Sequence, residues 1–592
     1  MHIQKEKSDF SISYFSYIIH LSVLIVCLFI SGIISILAAK PSSDEIVISN
    51  SITFTSSNLP IIVINTYGKA IPDPYRIFVD MGIIYNGEGN RNYLTDPFSH
   101  YNGKINIEIR GSSSQYFFAK KQYAFETQDS LSNNLNVSLL GMPAENDWVL
   151  YGPYSDKSLM RNMLVYKLWN DMGRYTSRTR FCELVINDDY LGVYVLMEKI
   201  KRDKNRVDIS KLNPDEISGD DLTGGYIIKI DKEAGENYGG WYSPFPPFPQ
   251  ARIRLFYQYH YPKPDEIVPA QEKYIQDFVF DFEYQMYTRE FADPINGYPK
   301  FIDIDSFVDY VLICEFSKNV DSYRLSLFMY KDKDSINPKL SIGPVWDFNL
   351  AFGNADYYEG YETEGWQLDH LHYNWQFKNN DRYQMPFWWY KLFHEQDFFD
   401  KLKSRWQELR NTIFEPNSIL NTIDSLVVLL DESQQRNFQR WQILGKYIWP
   451  NAFIGQTYQE EIDYLKQFIL DRIHWMDQNL LISTAIEPNR LSTSAPNENH
   501  LKQNYPNPFN QITHIEYDLT KPGLVIITVN DVLGRTIKTL VNAEHQPGHY
   551  RIDWNGRDNF NQNLVSGIYF CQLKMVSKDY NFSQVKKLIL MK

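Results

Sequence analysis

Cysteine is scarce in this chain, and its few cysteines are poorly placed for cross-linking. Only four occur among 592 residues, and Cys27 lies within an apolar run near the N-terminus. The others, Cys182, Cys314 and Cys571, are far apart, odd in number and form no pair with the spacing of metal ligands. We therefore expect neither a disulfide framework nor a cysteine-based metal site.

An excess of basic residues is also missing. Lys and Arg number 59 whereas Asp and Glu number 72, which gives a formal net charge of -13 at pH 7. A general nucleic-acid binder needs clustered Lys and Arg that face phosphates, and the sequence contains no basic stripe. We expect no nucleic-acid partner.

Long apolar runs are absent beyond the first forty residues. A nearly uncharged segment, residues 12–39, follows Lys5 and Lys7 and ends in small residues before Lys40. This pattern fits an export signal that is cleaved, and the segment is also long enough to anchor the protein in a bilayer. We expect an exported protein that meets a membrane only through residues 1–40 or after attachment at the surface.

Signs of a hydrolase triad are lacking too. The twelve His are scattered, and no G-x-S-x-G motif is present, so the sequence gives little support to a Ser-His-Asp enzyme.

The chain is long and rich in aromatic side chains. Its length predicts two or three domains, and 15% of its residues are aromatic, which suits clefts and surfaces as well as cores.

The periodicity of apolar residues changes along the chain. Short runs broken by turn residues predict strands across residues 59–207, with one helix after Ser158 that ends near Gly173. Helical spacing of apolar residues predicts further helices at residues 271–287, 304–316 and, strongly, 385–481. The Gly-, Pro- and aromatic-rich stretch 235–250 predicts a surface loop, and the polar stretch 486–503 predicts a linker.

A first motif with chemical potential follows a predicted strand. Arg110-Gly111-Ser112-Ser113-Ser114 precedes Lys120 and Lys121. A glycine followed by small hydroxyl residues lets backbone N–H groups approach phosphate oxygens, and lysine adds charge. The alternative interpretation of the same residues is a serine-rich turn with exposed lysines. The glycines of a Walker A loop or of the ordinary protein-kinase loop are missing.

Two aspartates carry the second signal. Asp321 follows a predicted helix, with Ser326 five residues later, which is the spacing of a kinase catalytic loop. Asp347 ends a short apolar run, where a magnesium-binding carboxylate would be presented. Phosphoryl transfer needs positioning and charge more than covalent help. Loop capping or a structural calcium site would use the same two residues.

Five motifs occur in a fixed order between residues 110 and 355: RGSSSQYFFAKKQYAF, SLMRNML, LGVYVLMEKIKR, EFSKNVD and GPVWDFNLAFGNA. Together they resemble the CotH family of atypical protein kinases. The resemblance implies an α+β chain with an atypical protein-kinase-like domain at residues 59–370 and a helical extension of that domain at residues 371–485.

The same resemblance implies an activity and its residues. The expected reaction transfers the γ-phosphoryl group of ATP to Ser or Thr hydroxyls of a protein, with ATP and Mg²⁺, or Mn²⁺ in its place, as cofactors. Asp321 is the implied catalytic residue, and the implied metal ligands are Asp347, Ser326 and Asn349. The implied nucleotide-binding residues are Arg110, Ser112, Ser113, Ser114, Lys121, Glu198 and Lys199. A solvated pair on an exposed strand is the other interpretation of Glu198 and Lys199.

The chain departs from the family pattern at two positions. Ser326 stands where many members have Asn, and Asn349 stands where a second Asp is common. Neutral oxygens are weaker ligands for magnesium than carboxylates. A catalytically weak or inactive surface protein is therefore the alternative, which would bind a carbohydrate or a protein through aromatic stretches such as 241–249 and 387–390.

The C-terminal residues 504–592 alternate strands with turns, which predicts an Ig-like β-sandwich. The segments NYPNPFN, NDVLGR, GHYRIDWNGRD and LVSGIYF resemble the C-terminal sorting domain of type IX secretion cargo. This resemblance implies the type IX secretion machinery as a partner and a secreted or outer-membrane-surface location in a Gram-negative bacterium. An Ig-like module without a sorting role is the alternative.

Overall fold

The computed structural model describes residues 52–233, 239–480, 489–492, 496–510, 512–532, 534–558, 564–577 and 580–591. The predicted export signal or anchor at residues 1–40 lies outside these ranges. Of the helices that are described, none has both the length and the apolar character needed to cross a membrane. Cys182, Cys314 and Cys571 are buried and free, as the spacing predicts.

The first nine strands are β1 Ser56–Ser57, β2 Ile61–Asn65, β3 Ile77–Ile84, β4 Asn92–Tyr93, β5 Tyr101–Arg110, β6 Gln122–Gln128, β7 Asp147–Tyr151, β8 Thr179–Ile186 and β9 Asp189–Glu198. A closed barrel forms from seven of them in the order β2-β3-β5-β6-β7-β9-β8. Strands β2 and β8 are parallel where the barrel closes. Every second residue of a strand points inward, so Ile105 and Ile107 of β5 are fully buried in the barrel core.

A second sheet contains the strands β10 Tyr226–Ile230, β11 Gly240–Tyr242, β12 Phe256–Tyr261, β13 Leu327–Lys331 and β14 Leu340–Ile342. Its order is β11-β12-β10-β13-β14. Strand β11 corrects the prediction of a loop over residues 235–250. Trp241 pairs with Tyr257 in register and stacks on its ring at 5.2 Å. Three residues are too few for a strand pattern to be visible in the sequence.

The helices are α1 Ser113–Phe117, α2 Arg161–Asp171, α3 Gly219–Leu222, α4 Pro269–Tyr287, α5 Ile304–Ser317, α6 Gln367–Tyr373, α7 Trp375–Asn380, α8 Phe387–Phe393, α9 Gln396–Arg410, α10 Pro416–Arg440 and α11 Tyr458–Leu480. Residues 298–300 form a short 3₁₀ helix. Helix α5 is buried on all sides from Ser306 to Ser317, which places it at the centre of the helical part of the protein.

The helices after residue 385 share one hydrophobic core with the segments before it. Trp388 and Trp389 of α8 are fully buried and lie against Phe307 of α5, at 5.9 and 5.5 Å between ring centroids. Arg472 of α11 forms a buried ion pair with Glu315 of α5 at 3.2 Å. These contacts attach the predicted helical extension directly to the helix that precedes Asp321.

The C-terminal strands are β15 Asn489–Ser492, β16 His500–Leu501, β17 Thr513–Leu519, β18 Gly523–Asn530, β19 Thr536–His545, β20 Gly548–Trp554, β21 Gly567–Ser577 and β22 Tyr580–Leu590. They form two four-stranded antiparallel sheets, β15-β20-β17-β16 and β19-β18-β21-β22, with a common core. The protein is thus a mixture of helices and sheets with a strand-rich C-terminal region. Strands β15 and β16 lie within the stretch 486–503, where the polar composition predicts a linker; β15 pairs with β20 and β16 pairs with β17.

Candidate active site

A cleft of about 850 Å³ is lined both by the barrel and by the second sheet. Its lining comes from stretches that are remote in the sequence, namely residues 110–118, 229–232, 321–326, 346–350, 356–358 and 380–383. Eight of the residues predicted from the sequence meet here: Arg110, Ser112, Ser113, Ser114, Asp321, Ser326, Asp347 and Asn349. The cleft is therefore the candidate site.

The loop that carries Asp321 has an unusual backbone. Helix α5 ends at Lys318 in the left-handed region (φ 51°), and Tyr323 (φ 71°) and Ser326 (φ 50°) share that region. Such conformations cost non-glycine residues about 1 to 3 kcal/mol each, and they cluster at functional sites. The Asp321 carboxylate accepts a hydrogen bond of 2.7 Å from Arg324. The side chain is thus fixed at the edge of the cleft.

The loop that carries Asp347 is attached to helix α2. Asp347 also has a left-handed backbone, with φ 63°. Its N–H donates to the hydroxyl of Tyr166 at 3.3 Å, and the N–H of Phe348 donates to the side-chain oxygen of Asn162 at 2.6 Å. Because these donors are satisfied by one rigid helix, the loop holds the carboxylate in a set position.

Asp347 lies in a negative environment. Solvent reaches its carboxyl group from the cleft, but protein atoms surround it. Desolvation, together with repulsion by Asp321 and Asp231, raises the pKa of Asp347 to about 6 against the attraction of Lys232 and Arg110. The site therefore favours a positive charge beside Asp347.

Cationic side chains face the aspartates. The Arg110 guanidinium lies 5.7 Å from the ring centroid of Trp346; burial lowers the pKa of Arg110, while Asp347 acts in the opposite direction. Lys232 donates to the Ser113 hydroxyl at 2.8 Å. It thereby links the end of strand β10 to residues 111–114 on the other side of the cleft, which we call the serine loop.

Comparison with known proteins identifies the part of the chain that builds this cleft. The family described as "CotH kinase protein" matches residues 107–476, which is more than half of the chain. The chain belongs to the CotH family. The matched stretch includes both the barrel residues of the cleft and helices as far as α11.

Other comparisons concern the rest of the chain. The family described as "Secretion system C-terminal sorting domain" matches residues 503–591, which confirms the resemblance to a type IX sorting domain. That domain indicates export to the cell surface or beyond, and it implies contact with the secretion machinery. No curated protein matches the chain.

The similarity to a solved structure is limited in extent. The crystal structure of dimeric latent PorU from Porphyromonas gingivalis is similar at 16% identity and a TM-score of 0.15. The similarity covers 17% of this chain and 10% of that chain. The chain thus spans a tenth of the length of that protein.

Three predicted residues of the CotH domain lie outside the cleft lining. The Lys121 ammonium donates to the carbonyl oxygens of Gln115 and Phe118, at 2.6 and 2.9 Å. Glu198 is fully buried and pairs with Arg206 at 3.0 Å. Lys199 pairs with Asp147 at 3.2 Å. These side chains support the serine loop and the barrel rather than facing the space beside Asp347.

Several cleft residues of the CotH domain were not predicted. Lys229, Asp231 and Lys232 line it from the end of β10, and a Lys-Ile-Asp-Lys run directly at the end of an apolar strand is the signal that could have revealed them. Trp449 also lines the cleft and lies 4.5 Å from the ring of Phe117. No local signal marks Trp449, because the chain fold alone brings it near the serine loop.

Proposed function

We propose that this CotH domain is a protein kinase that transfers the γ-phosphoryl group of ATP to Ser or Thr hydroxyls of a protein. One observation carries the proposal: Asp321 and Asp347 line the same cleft as a serine loop and the cations Arg110 and Lys232. Phosphoryl transfer requires a group that accepts the proton, a region that binds the phosphates of ATP, and positive charge that neutralises those phosphates.

The serine loop and its neighbours bind the phosphates. Gly111 has a φ of +103°, and a Cβ atom added there would overlap the Ser114 hydroxyl. A side chain at residue 111 would therefore strain the backbone and displace the Ser114 hydroxyl. Arg110 and Lys232 supply positive charge beside these donors.

Magnesium fits the oxygen donors of three other residues that line the cleft. Asp347, Asn349 and Ser326 offer one carboxylate and two neutral oxygens, and Mg²⁺ prefers oxygen ligands from one or two carboxylates together with substrate phosphates. Within the described ranges, no group of three or more Asp, Glu, His or Cys could hold a metal ion without such help. When bound, Mg²⁺ or Mn²⁺ neutralises charge on the phosphate oxygens.

Asp321 takes the proton of the acceptor. One of its carboxylate oxygens accepts from Arg324, which leaves the second oxygen for the attacking hydroxyl. As the new oxygen–phosphorus bond forms, the bond from the γ-phosphorus to the bridging oxygen of ADP breaks. The hydroxyl proton moves to Asp321, and ADP departs with the bridging oxygen.

The test is transfer of labelled phosphate. The purified protein is incubated with γ-labelled ATP, Mg²⁺ or Mn²⁺ and a generic protein acceptor, beside Asp347→Asn and the exposed control Asp277→Asn, whose carboxylate pairs with Lys273 on the surface. We expect label with the wild-type protein and the control, and loss of label with Asp347→Asn. Absence of both label and ATP binding in the wild-type protein would refute the kinase.

A catalytically weak or inactive surface protein is the second candidate. The neutral side chains of Ser326 and Asn349 favour it, because each replaces a stronger ligand of the family pattern. Two rings of the aromatic run at residues 387–390 are closed to a sugar, since Trp388 and Trp389 are fully buried. Binding of ATP without any transfer would favour this candidate over the kinase.

A further inference from the structure

Arg324 lies three residues after Asp321, and its side chain is only 3% exposed. One terminal nitrogen, Nη2, donates to Asp321 Oδ1 at 2.7 Å. Nε donates to the carbonyl oxygen of Val320 at 3.1 Å. The guanidinium therefore holds both the side chain of Asp321 and the backbone immediately before it.

The other side of the same guanidinium contacts a distant segment. Nη1 donates to Asp381 Oδ2 at 3.0 Å and to the carbonyl oxygen of Tyr383 at 3.3 Å. The rings of Tyr358 and Phe377 lie 5.5 and 5.4 Å from the guanidinium carbon. Asp381 also accepts from the Tyr358 hydroxyl at 3.1 Å. Hydrogen bonds and ring faces thus fix the guanidinium from several directions.

The segment held in this way is part of the cleft. Residues 380–383 line it together with Asp321, whereas the phosphate-facing cations Arg110 and Lys232 come from β5 and the end of β10. A protein acceptor must bring its hydroxyl to Asp321 from a side that the nucleotide leaves free. Residues 380–383 are suited to that side because Arg324 links them to Asp321.

We propose that Arg324 is a positioning residue, which sets the Asp321 carboxylate for the acceptor hydroxyl and couples it to the acceptor wall, residues 380–383. The inference rests on the proposed kinase function. It assigns the acceptor side of the cleft and gives Asp381 a role in acceptor binding. Lysine cannot replace Arg324, because a point charge cannot donate to Asp321, Asp381 and two carbonyl groups in one plane.

Kinetics test the positioning role. Arg324→Lys should lower kcat about 100-fold, because small misplacement of a reacting group has effects of that size, while the Kd for ATP stays within a factor of three. Asp381→Asn should raise KM for the acceptor and leave KM for ATP unchanged. Added guanidinium ion should restore part of the kcat of Arg324→Ala. The proposal would be overturned if Arg324→Lys had the kcat of the wild type, or if its affinity for ATP fell as much as its kcat.

Proteolysis tests the coupling without using activity. The side chain of Arg382 in the acceptor wall is 64% exposed, so trypsin can cut there once the backbone is released. We expect cleavage after Arg382 to be at least ten times faster in Arg324→Met and in the milder Arg324→Lys, whereas cleavage after the exposed Arg289 stays unchanged. Equal rates after Arg382 in wild type and both variants would overturn the coupling.

The two experiments distinguish the proposed kinase function from the proposed positioning role of Arg324. A wild-type protein that transfers no phosphate would refute the kinase, and it would leave the link between Arg324 and residues 380–383 to be decided by the trypsin rates. A kinase that is active in the wild type but insensitive to Arg324→Lys would keep the proposed function and refute the positioning role.

Discussion

Lys120 is a buried cation that holds the barrel against helix α10. Its ammonium donates to the carbonyl oxygen of Val193 at 2.6 Å, to the side-chain oxygen of Asn437 at 2.8 Å and to the carbonyl oxygen of Pro153 at 3.3 Å. The residue is 1% exposed. Replacing it with methionine, Lys120→Met, keeps the aliphatic stem and removes the donors.

Two opposing contributions determine how much unfolding free energy Lys120→Met loses. Hydrogen bonds from charged donors contribute about 1.5 to 3 kcal/mol each. Desolvation opposes them, and it holds the pKa of Lys120 well below the ordinary value despite the attraction of Glu183. Since a buried acceptor left without its donor also destabilises the fold, we expect a net loss of about 2 to 4 kcal/mol of unfolding free energy.

Thermal and urea unfolding of Lys120→Met measure this loss, with the exposed Lys273→Met as the matched control, since the Lys273 side chain is 75% exposed. The melting midpoint should fall by at least about 3 °C, and the affinity for ATP should not change. A Lys120→Met variant that is as stable as the wild type but binds ATP weakly would instead place the role of Lys120 in the cleft and not between the barrel and α10.

Three further predictions concern separate regions. Burial raises the pKa of Glu283 from 4.5 to about 7, so the folded protein retains a proton that the unfolded chain releases, and stability should fall by about 3 kcal/mol as pH rises between those values. Urea unfolding of Glu283→Gln across that range should show a flatter dependence. Gly111→Ala should weaken ATP binding about tenfold in calorimetry, because strain in the serine loop costs at least about 1 kcal/mol. Deletion of residues 503–592 should leave the protein inside cells of a host with the type IX machinery, as immunoblots of cells and medium would show; undiminished export would contradict a sorting role.

Local patterns were sufficient to predict the longer helices and strands and to single out the two aspartates. Alternating apolar residues mark β5, and helical spacing marks α5 to within a residue or two of its ends. Asp321 comes shortly after α5, and Asp347 comes shortly after β14, so their approximate positions can be predicted from the sequence. Family motifs then supply the order of the segments.

Those patterns could not predict the roles of side chains whose partners are distant in the sequence. Lys120 and Lys121 are adjacent in a motif, yet the fold buries one under α10 and turns the other toward carbonyl groups of its own loop. Arg324 gains its role from Asp381, which lies 57 residues further along the chain. Glu198 is withdrawn from the cleft by Arg206. Such contacts arise from tertiary packing and leave no periodic signal.

Asp321→Asn offers the most direct test of the central claim, that the two aspartates of one cleft carry out phosphoryl transfer. The measurement is the rate of phosphate transfer from Mg²⁺-ATP, with ATP affinity determined by calorimetry on the same samples. Asp321→Asn should bind ATP as the wild type does and transfer phosphate at least about 100-fold more slowly. Transfer at the wild-type rate by Asp321→Asn would contradict the central claim.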